Sequence, residues 1–275
     1  MGVSRIDTRF EKLKSEGRAG LVTFTTAGDP DYDTALNILN GLPQAGADII
    51  ELGMPFSDPM ADGPAIQEAS IRALNGNMTL RKTLEMVRSF RESDQDTPII
   101  LMGYYNPIYI YGVDKFLEDA LAAGADGMII VDLPPEEDRE LAIPAKEAGM
   151  AMIHLATPTT DQKRLKQILE NGSGFLYYVT IAGITGTAKP DLTPVKAALD
   201  NFREISQIPM AVGFGIKSPD DAARFEAFAD AVVVGSAIVD IIKSNLNQEN
   251  VANSELEGRV LSFVGELANG VKSAR

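Results

Sequence analysis

Residues 49–64 read IIELGMPFSDPMADGP, an apolar strand that runs into a carboxylate and then into an acidic turn segment. Ile49 and Ile50 have the character of a buried strand, so Glu51 is expected where the strand opens into a loop. Asp62 follows eleven residues later. General acid–base catalysis requires this kind of arrangement, with one carboxylate at a strand end and another on the loop that follows. The segment therefore predicts an active site.

Seven other short apolar runs resemble this strand, and most are followed by a turn and a helical pattern. The predicted strands are 21–25, 47–52, 98–102, 127–131, 151–155, 175–180, 209–212 and 231–234. The predicted helices are 31–45, 79–92, 114–123, 135–148, 161–170, 193–202, 219–228 and 237–246. Strands apolar on both faces that alternate with amphipathic helices indicate a parallel sheet. Eight such units predict an α/β fold, a single (β/α)8 TIM barrel spanning residues 1–275.

Two features extend beyond the eight repeats. Helical patterns at 4–16 and 254–272 predict extra N-terminal and C-terminal helices that cap or flank the barrel. The second and third strands are unusually far apart, and the excess, residues 53–78, carries Asp58 and Asp62. Barrel active sites are built from loops at the carboxyl ends of the strands, so this segment is expected to be an enlarged loop that covers the substrate. Both acids also suit ordinary turns, since they precede Pro59 and Gly63.

Composition limits the partners and the chemistry. With 25 basic and 39 acidic residues, the net charge of −14 disfavours nucleic acid and anionic membranes as partners. The absence of cysteine excludes disulfides and thiolate chemistry, and the single histidine, His154, disfavours a metal site. No apolar stretch reaches the length of a membrane span, and the first ten residues do not resemble a signal peptide. We expect a soluble cytoplasmic protein without a metal.

Glycines cluster after the last three predicted strands. They occur in Gly183-Ile184-Thr185-Gly186, in Gly213-Phe214-Gly215-Ile216 and in Gly235-Ser236-Ala237-Ile238. Each pair alone would suit a plain turn. Together they lie where barrels bind phosphate through backbone N–H groups and a helix N-terminus, and Ser236 also suits the N-cap of the last helix of the barrel.

Aromatic residues stand at several predicted strand ends. Phe24, Tyr104, Tyr105 and Tyr177 are expected to face one mouth and to form an apolar slot for a flat ring, although ordinary packing is the alternative. Glu51 suits a solvated strand-end acid or one that caps a backbone N–H; its burial beside Phe24, Ile49 and Tyr177 would instead raise the pKa of its carboxyl. His154 is expected to be a packed residue rather than a catalytic one.

The segment from Glu51 to Pro64 resembles the signature of the tryptophan synthase α subunit family. Further motifs match in order and at family spacing, namely FTTAGDP (24–30), YYNP (104–107), VDLP (131–134), GITG (183–186), GFGI (213–216) and GSAI (235–238). The resemblance implies a lyase of tryptophan biosynthesis. It would cleave indole-3-glycerol phosphate to indole and glyceraldehyde 3-phosphate by a retro-aldol reaction without metal or organic cofactor.

The resemblance also implies residue roles. Glu51 would protonate the ring carbon that bears the side chain, and Asp62 would take or stabilise the indole N–H proton. The implied phosphate site is Gly186, Gly215, Gly235 and Ser236, the indole pocket contains Phe24, Tyr104 and Tyr177, and the lid contains Gly183 and Thr185. Some relatives carry Arg at the position of Ile181, so any contact specific to that Arg is absent here.

A partner is implied as well, the pyridoxal-phosphate-dependent β subunit in an αββα heterotetramer, with Asp58, Asn106 and Pro107 facing it. Alternatives are a free-standing indole-3-glycerol phosphate lyase and a non-catalytic chain that activates a β subunit. Other phosphate-binding barrels, such as indole-glycerol-phosphate synthase or phosphoribosyl isomerase, share the glycine site but not the 51–64 signature.

Overall fold

The computed structural model describes residues 4–180, 192–213 and 215–272. The strands of this part of the chain are β1 Gly20–Thr26, β2 Ile49–Gly53, β3 Ile99–Gly103, β4 Gly127–Ile130, β5 Ala151–Met152, β6 Leu155–Ala156, β7 Leu176–Val179, β8 Met210–Gly213 and β9 Ala231–Val234. Its helices are α1 Arg5–Ser15, α2 Tyr32–Ala45, α3 Pro64–Asn75, α4 Leu80–Arg91, α5 Tyr105–Tyr111, α6 Val113–Ala123, α7 Arg139–Ala148, α8 Gln162–Asn171, α9 Thr193–Arg203, α10 Pro219–Glu226, α11 Ser236–Ser244 and α12 Leu256–Lys272.

The strands form one parallel sheet in the order β5-β4-β3-β2-β1-β9-β8-β7-β6. Only Ile153 and His154 separate β5 from β6, so both ends of the sheet belong to one interrupted strand and the sheet closes into a ring of eight. This confirms the predicted (β/α)8 barrel.

The prediction of a continuous strand over 151–155 is wrong at the point of closure. The Ile153 N–H donates to Met128 of β4, whereas the His154 carbonyl accepts from Tyr177 of β7. The hydrogen-bonding partner thus changes from β4 to β7 between these two residues, and the strand is split there.

Two apolar layers hold the barrel together. Alternate strand residues such as Val22, Ile49 and Ile100 point inward, and helix α1 adds Ile6 and Phe10 to this inner cluster. The remaining strand residues pack outward against the helices, and α12 packs against α2 and α10. Both extra terminal helices are therefore confirmed. Within the described ranges, no helix combines the length and apolarity that a membrane crossing requires.

Aspartates that directly precede three strands satisfy backbone N–H groups at the amino end of the barrel. Each follows an alanine, in the pairs 47–48, 125–126 and 229–230. Each carboxylate accepts the N–H of a residue in a neighbouring strand and pairs with an arginine. The contacts are Asp48 with Leu21 and Arg18, Asp126 with Ile99 and Arg91, and Asp230 with Met210 and Arg203. Because a buried N–H without a partner is costly, these acids stabilise the starts of the staggered strands.

Two helices were not predicted. The enlarged loop of residues 53–78 contains α3, which begins with Pro64 in its first turn and ends before Gly76. Asn106 and Pro107 lie in the first turn of α5 rather than in a loop. The first N–H group of α5, that of Tyr105, donates to Asp132 Oδ1 at 2.8 Å. This acceptor follows β4, so local sequence gave no sign of it.

Replacing the carboxylates at the amino end is expected to have unequal effects on stability. Asp126 and Arg91 have side chains that are 6% and 7% exposed, so Asp126→Ala leaves a buried cation and should lower the free energy of unfolding by about 3–5 kcal/mol. The Asp230 side chain is 43% exposed, and Asp230→Ala should cost about 1 kcal/mol. Urea denaturation of both variants measures the difference. Equal losses would show that burial of the pair does not matter.

Candidate active site

A narrow cleft opens at the carboxyl ends of β1 to β4. Its walls include Phe24, Met54, Asp62, Met102, Tyr104 and Val131. The structure therefore brings together three of the predicted site residues, Phe24, Asp62 and Tyr104. Sequence reasoning missed Met54, Met102 and Val131, although their positions at or just after strand ends could have indicated them.

Glu51 lies in the middle of β2, beneath this cleft, so the expectation that it stands where the strand opens into a loop is wrong. Its neighbours in the sheet are Phe24 of β1 and Ile100 of β3. The residue is 1% exposed, and none of the described residues forms a hydrogen bond with Oε1. Burial raises the pKa of this carboxyl from its ordinary 4.5 to about 8, which confirms the predicted direction. Glu51 is thus a neutral acid at pH 7 and can donate a proton.

Tyr177 is buried next to Glu51 rather than in the described wall of the cleft. Burial and the negative charge of an ionised Glu51 both raise the pKa of the phenol. A side chain on Gly213, the last residue of β8, would collide with the Tyr177 hydroxyl. The absence of a Cβ at residue 213 therefore makes room for the phenol in the barrel.

Asp62 lies on the segment between β2 and α3. Burial raises the pKa of its carboxyl, and a hydrogen bond from Tyr104 acts in the opposite direction. The backbone of the segment is fixed by two contacts, in which the Asp62 N–H donates to Pro59 and the Gln67 side chain donates to the Asp62 carbonyl at 2.8 Å. The Asp62 backbone is therefore held beside the cleft, while Asp58 of the same segment is exposed.

The described part of the predicted phosphate site lies at β8 and β9. Gly235 is the N-cap of α11, which makes Ser236 the first residue of the helix and corrects its expected role as the cap. Gly215 has a φ of +78°, a conformation that favours glycine. A Cβ on Gly235 would lie 3.3 Å from that of Phe24, so the start of α11 adjoins the aromatic wall. The predicted residues Ile181, Gly183, Thr185 and Gly186 lie outside the described ranges.

Two more glycines at strand ends shape the cleft, and sequence reasoning missed them. A Cβ added to Gly53 would lie 2.7 Å from the Phe24 ring, and one added to Gly103 would lie 2.9 Å from Met54 Cε. Real Cβ atoms essentially never come so close. These glycines therefore allow Phe24 and Met54 to occupy the wall.

Two residues singled out in the sequence lie away from the cleft. The Tyr105 hydroxyl donates to Glu140 at 2.5 Å, and Tyr105 is not among the residues that line the cleft, so its predicted place in the apolar slot is wrong. His154 is buried, with Nε2 3.1 Å from Asp138 Oδ2. Asn171 donates to the other oxygen of Asp138. His154 is thus a packed residue, as expected.

The fold and the cleft define a class, the (β/α)8-barrel enzymes with carboxyl groups at a cleft on the carboxyl ends of the strands. A family model of the tryptophan synthase alpha chain matches residues 10–271. The chain belongs to this family. It has the role of the alpha subunit in tryptophan biosynthesis, as a lyase that cleaves indole-3-glycerol phosphate.

Solved structures agree with this assignment. Tryptophan synthase subunit alpha from Legionella pneumophila str. Paris is 40% identical, with a TM-score of 0.90 over 98% of this chain and 99% of that one. A second structure from Legionella pneumophila subsp. pneumophila, a tryptophan synthase alpha chain, is 38% identical, with a TM-score of 0.88 over 98% of each chain. Tryptophan synthase from Mycobacterium tuberculosis is 32% identical, with a TM-score of 0.87 over 98% and 99%.

Glu51→Gln is expected to change how stability depends on pH. Between pH 4.5 and about 8 the folded protein keeps a proton that the unfolded chain has released. The contribution of Glu51 to the free energy of unfolding is therefore fully present at low pH. It is lost as pH rises, by about 1.4 kcal/mol per pH unit. The variant lacks this titration, so its free energy of unfolding should fall less between pH 5 and pH 8 than that of the wild type. Equal slopes in urea denaturation would contradict the raised pKa.

Proposed function

We propose that Glu51 and Asp62 divide the acid–base work of indole-3-glycerol phosphate cleavage. The observation that carries this proposal is the complete burial of Glu51, which keeps its carboxyl protonated near neutral pH. The proton passes from Glu51 to the ring carbon that bears the glycerol phosphate chain. The side-chain carbon–carbon bond then breaks and its electron pair returns to the ring. The hydroxyl on the departing carbon gives its proton back to Glu51 and becomes the aldehyde.

Asp62 acts at the ring nitrogen in this scheme. Protonation of the ring carbon leaves positive charge on the N–H group, and a carboxylate stabilises that charge or accepts the proton. The position of Asp62 in the wall with Phe24 and Tyr104 supports this role, since the aromatic rings would bind the indole face beside it. The two acids need opposite protonation states, and their different environments favour this division.

The phosphate is proposed to bind at the start of α11. Gly235 and Ser236 would offer backbone N–H groups, the Ser236 hydroxyl and the positive end of the helix dipole, and Gly215 adds a conformation that lets the backbone approach closely. Gly186, together with the proposed lid residues Gly183 and Thr185, belongs to this proposal from family resemblance alone. The proximity of Gly235 to Phe24, whose Cβ would lie 3.3 Å from a Cβ added to Gly235, supports a substrate that spans both sites.

Alpha subunits of this family pair with a β subunit, and we propose an αββα assembly in the cytoplasm. Asp58, Asn106 and Pro107 would face the partner. Large apolar side chains on the same two elements support this surface, because Met60 is 83%, Tyr109 64% and Ile110 76% exposed. Exposed apolar residues on neighbouring elements suit a protein interface. They favour a partnered subunit over a free-standing lyase.

Indole release from indole-3-glycerol phosphate tests the reaction. Glu51→Gln and Asp62→Asn are each expected to lower kcat by about 10²–10⁴, since each removes one acid–base group. Glu68→Gln is the matched control, because the Glu68 carboxylate pairs with Lys243 on the surface and its loss should leave kcat unchanged.

The kcat/KM profile should fall above about pH 8, where Glu51 loses its proton, and also at low pH, where Asp62 becomes protonated. Full activity of Glu51→Gln would exclude the proposed acid.

Ile110→Glu tests the partner surface. A charge at this position should weaken the binding of a β subunit, measured by titration calorimetry, while indole release by the isolated chain stays the same. Val251→Glu is the control, since Val251 is also exposed, at 55%, but lies after α11. Equal weakening by both variants would argue against a docking surface at α5. Wild-type activity that does not respond to a β subunit would favour the free-standing lyase.

A further inference from the structure

Tyr104 brings a polar group into an otherwise mostly apolar wall. The residue follows β3 directly and is 3% exposed, and its ring lines the cleft with Phe24 and Met102. The family resemblance assigns Tyr104 to the indole pocket, and that role involves only its aromatic ring. The hydroxyl has partners of its own, and these partners lie on the segment that carries Asp62.

The hydrogen-bonding pattern of the hydroxyl is directional. Its oxygen accepts the Ala61 N–H at 2.9 Å. The hydroxyl proton is then available for another acceptor, and the Asp62 carboxyl lines the same cleft; donation to it lowers the pKa of that carboxyl. Tyr104 thus binds the backbone just before Asp62 and acts on the Asp62 carboxyl.

The phenol is held more firmly than the acid it contacts. Tyr104 lies between a buried strand and α5, and the helix begins at a backbone N–H that donates to Asp132. Its ring packs on Phe56, with centroids 5.2 Å apart. Asp62 lies on an exposed segment, and the contacts of Asp62 with Pro59 and Gln67 involve only its backbone.

Other charged groups near this segment have different partners. The Asp58 carboxyl accepts from Ser57, and Glu68 of α3 pairs with Lys243 of α11. Glu51 lies below the cleft with Tyr177. Among the described residues, Tyr104 is therefore the titratable group that forms a hydrogen bond with the Asp62 carboxyl.

We propose that the Tyr104 hydroxyl is a positioning group for the lyase reaction, which fixes the Asp62 carboxylate toward the ring nitrogen of the substrate. The proposal rests on the proposed role of Asp62. It separates two functions of one side chain, since the ring binds substrate and the hydroxyl acts through Asp62.

Loss of the hydroxyl has a predictable sign. The hydrogen bond lowers the pKa of the Asp62 carboxyl and opposes the effect of burial. Without the bond, burial acts alone and the pKa rises. Asp62 would then become protonated at a higher pH, so the acidic limb of the kcat/KM profile moves to higher pH.

Tyr104→Phe tests the proposal, with Tyr105→Phe as the matched control. The control removes a neighbouring hydroxyl that also donates to a carboxylate, that of Glu140, away from the cleft. Tyr104→Phe should lower kcat about tenfold and move the acidic limb up by about one pH unit, because a hydrogen bond to a charged group is lost. KM should change little, since the ring remains. Tyr105→Phe should match the wild type.

A carbon-13 NMR titration of the Asp62 carboxyl in the substrate-free chain gives a readout independent of activity. An unchanged Asp62 titration in folded Tyr104→Phe would overturn the proposal, and so would a raised KM with an unmoved acidic limb. If Asp62→Asn keeps full activity, the proposed role of Asp62 itself fails. If Asp62→Asn is inactive and Tyr104→Phe equals the wild type, only the positioning role fails.

Discussion

The register between β1 and β2 is the constraint on which the site depends. Phe24 pairs with Glu51 in this register, and both follow inward-facing residues, Val22 and Ile49, by two positions. Side chains alternate between the two faces of a strand, so a slip of one residue would turn Glu51 toward the helices and an apolar neighbour inward. The apolar alternation therefore fixes the position of the carboxyl in the barrel, where none of the described residues places a cation beside it.

The two ends of the barrel treat carboxylates in opposite ways. At the amino end, Asp48 and Asp126 are buried with arginines and backbone N–H groups, which donate charge-assisted hydrogen bonds to both carboxylates. At the carboxyl end, Glu51 is equally buried but lacks such partners among the described residues, so the neutral form is favoured. Barrels commonly separate stability from chemistry in this way. The destabilising burial of Glu51 is tolerated because the opposite end and the apolar layers carry the stability.

Periodicity was sufficient to predict the eight barrel positions and both terminal helices, because these depend on apolar patterns within each element. The interruption at Ile153 and His154 depends on which strand each residue bonds, and the pattern along one strand does not contain that information. The start of α5 depends on Asp132, which is 27 residues from Tyr105 in the chain. The predicted N-cap of α11 is wrong by one residue, because Gly235 is the last residue with a non-helical backbone and Ser236 is already helical.

The two site carboxyls differ in how their protonation is controlled. Burial alone acts on Glu51, so the sequence could predict a raised pKa only on the condition that this strand residue is buried, and the barrel meets that condition. Asp62 is subject to burial and to a hydrogen bond from Tyr104, two influences with opposite signs. The balance between them depends on contacts between Tyr104, which follows β3, and the segment after β2, and these exist only in the folded barrel. The position of a residue in a strand can therefore determine the protonation state of its carboxyl. A loop carboxylate needs a tertiary contact to determine both its orientation and its protonation state.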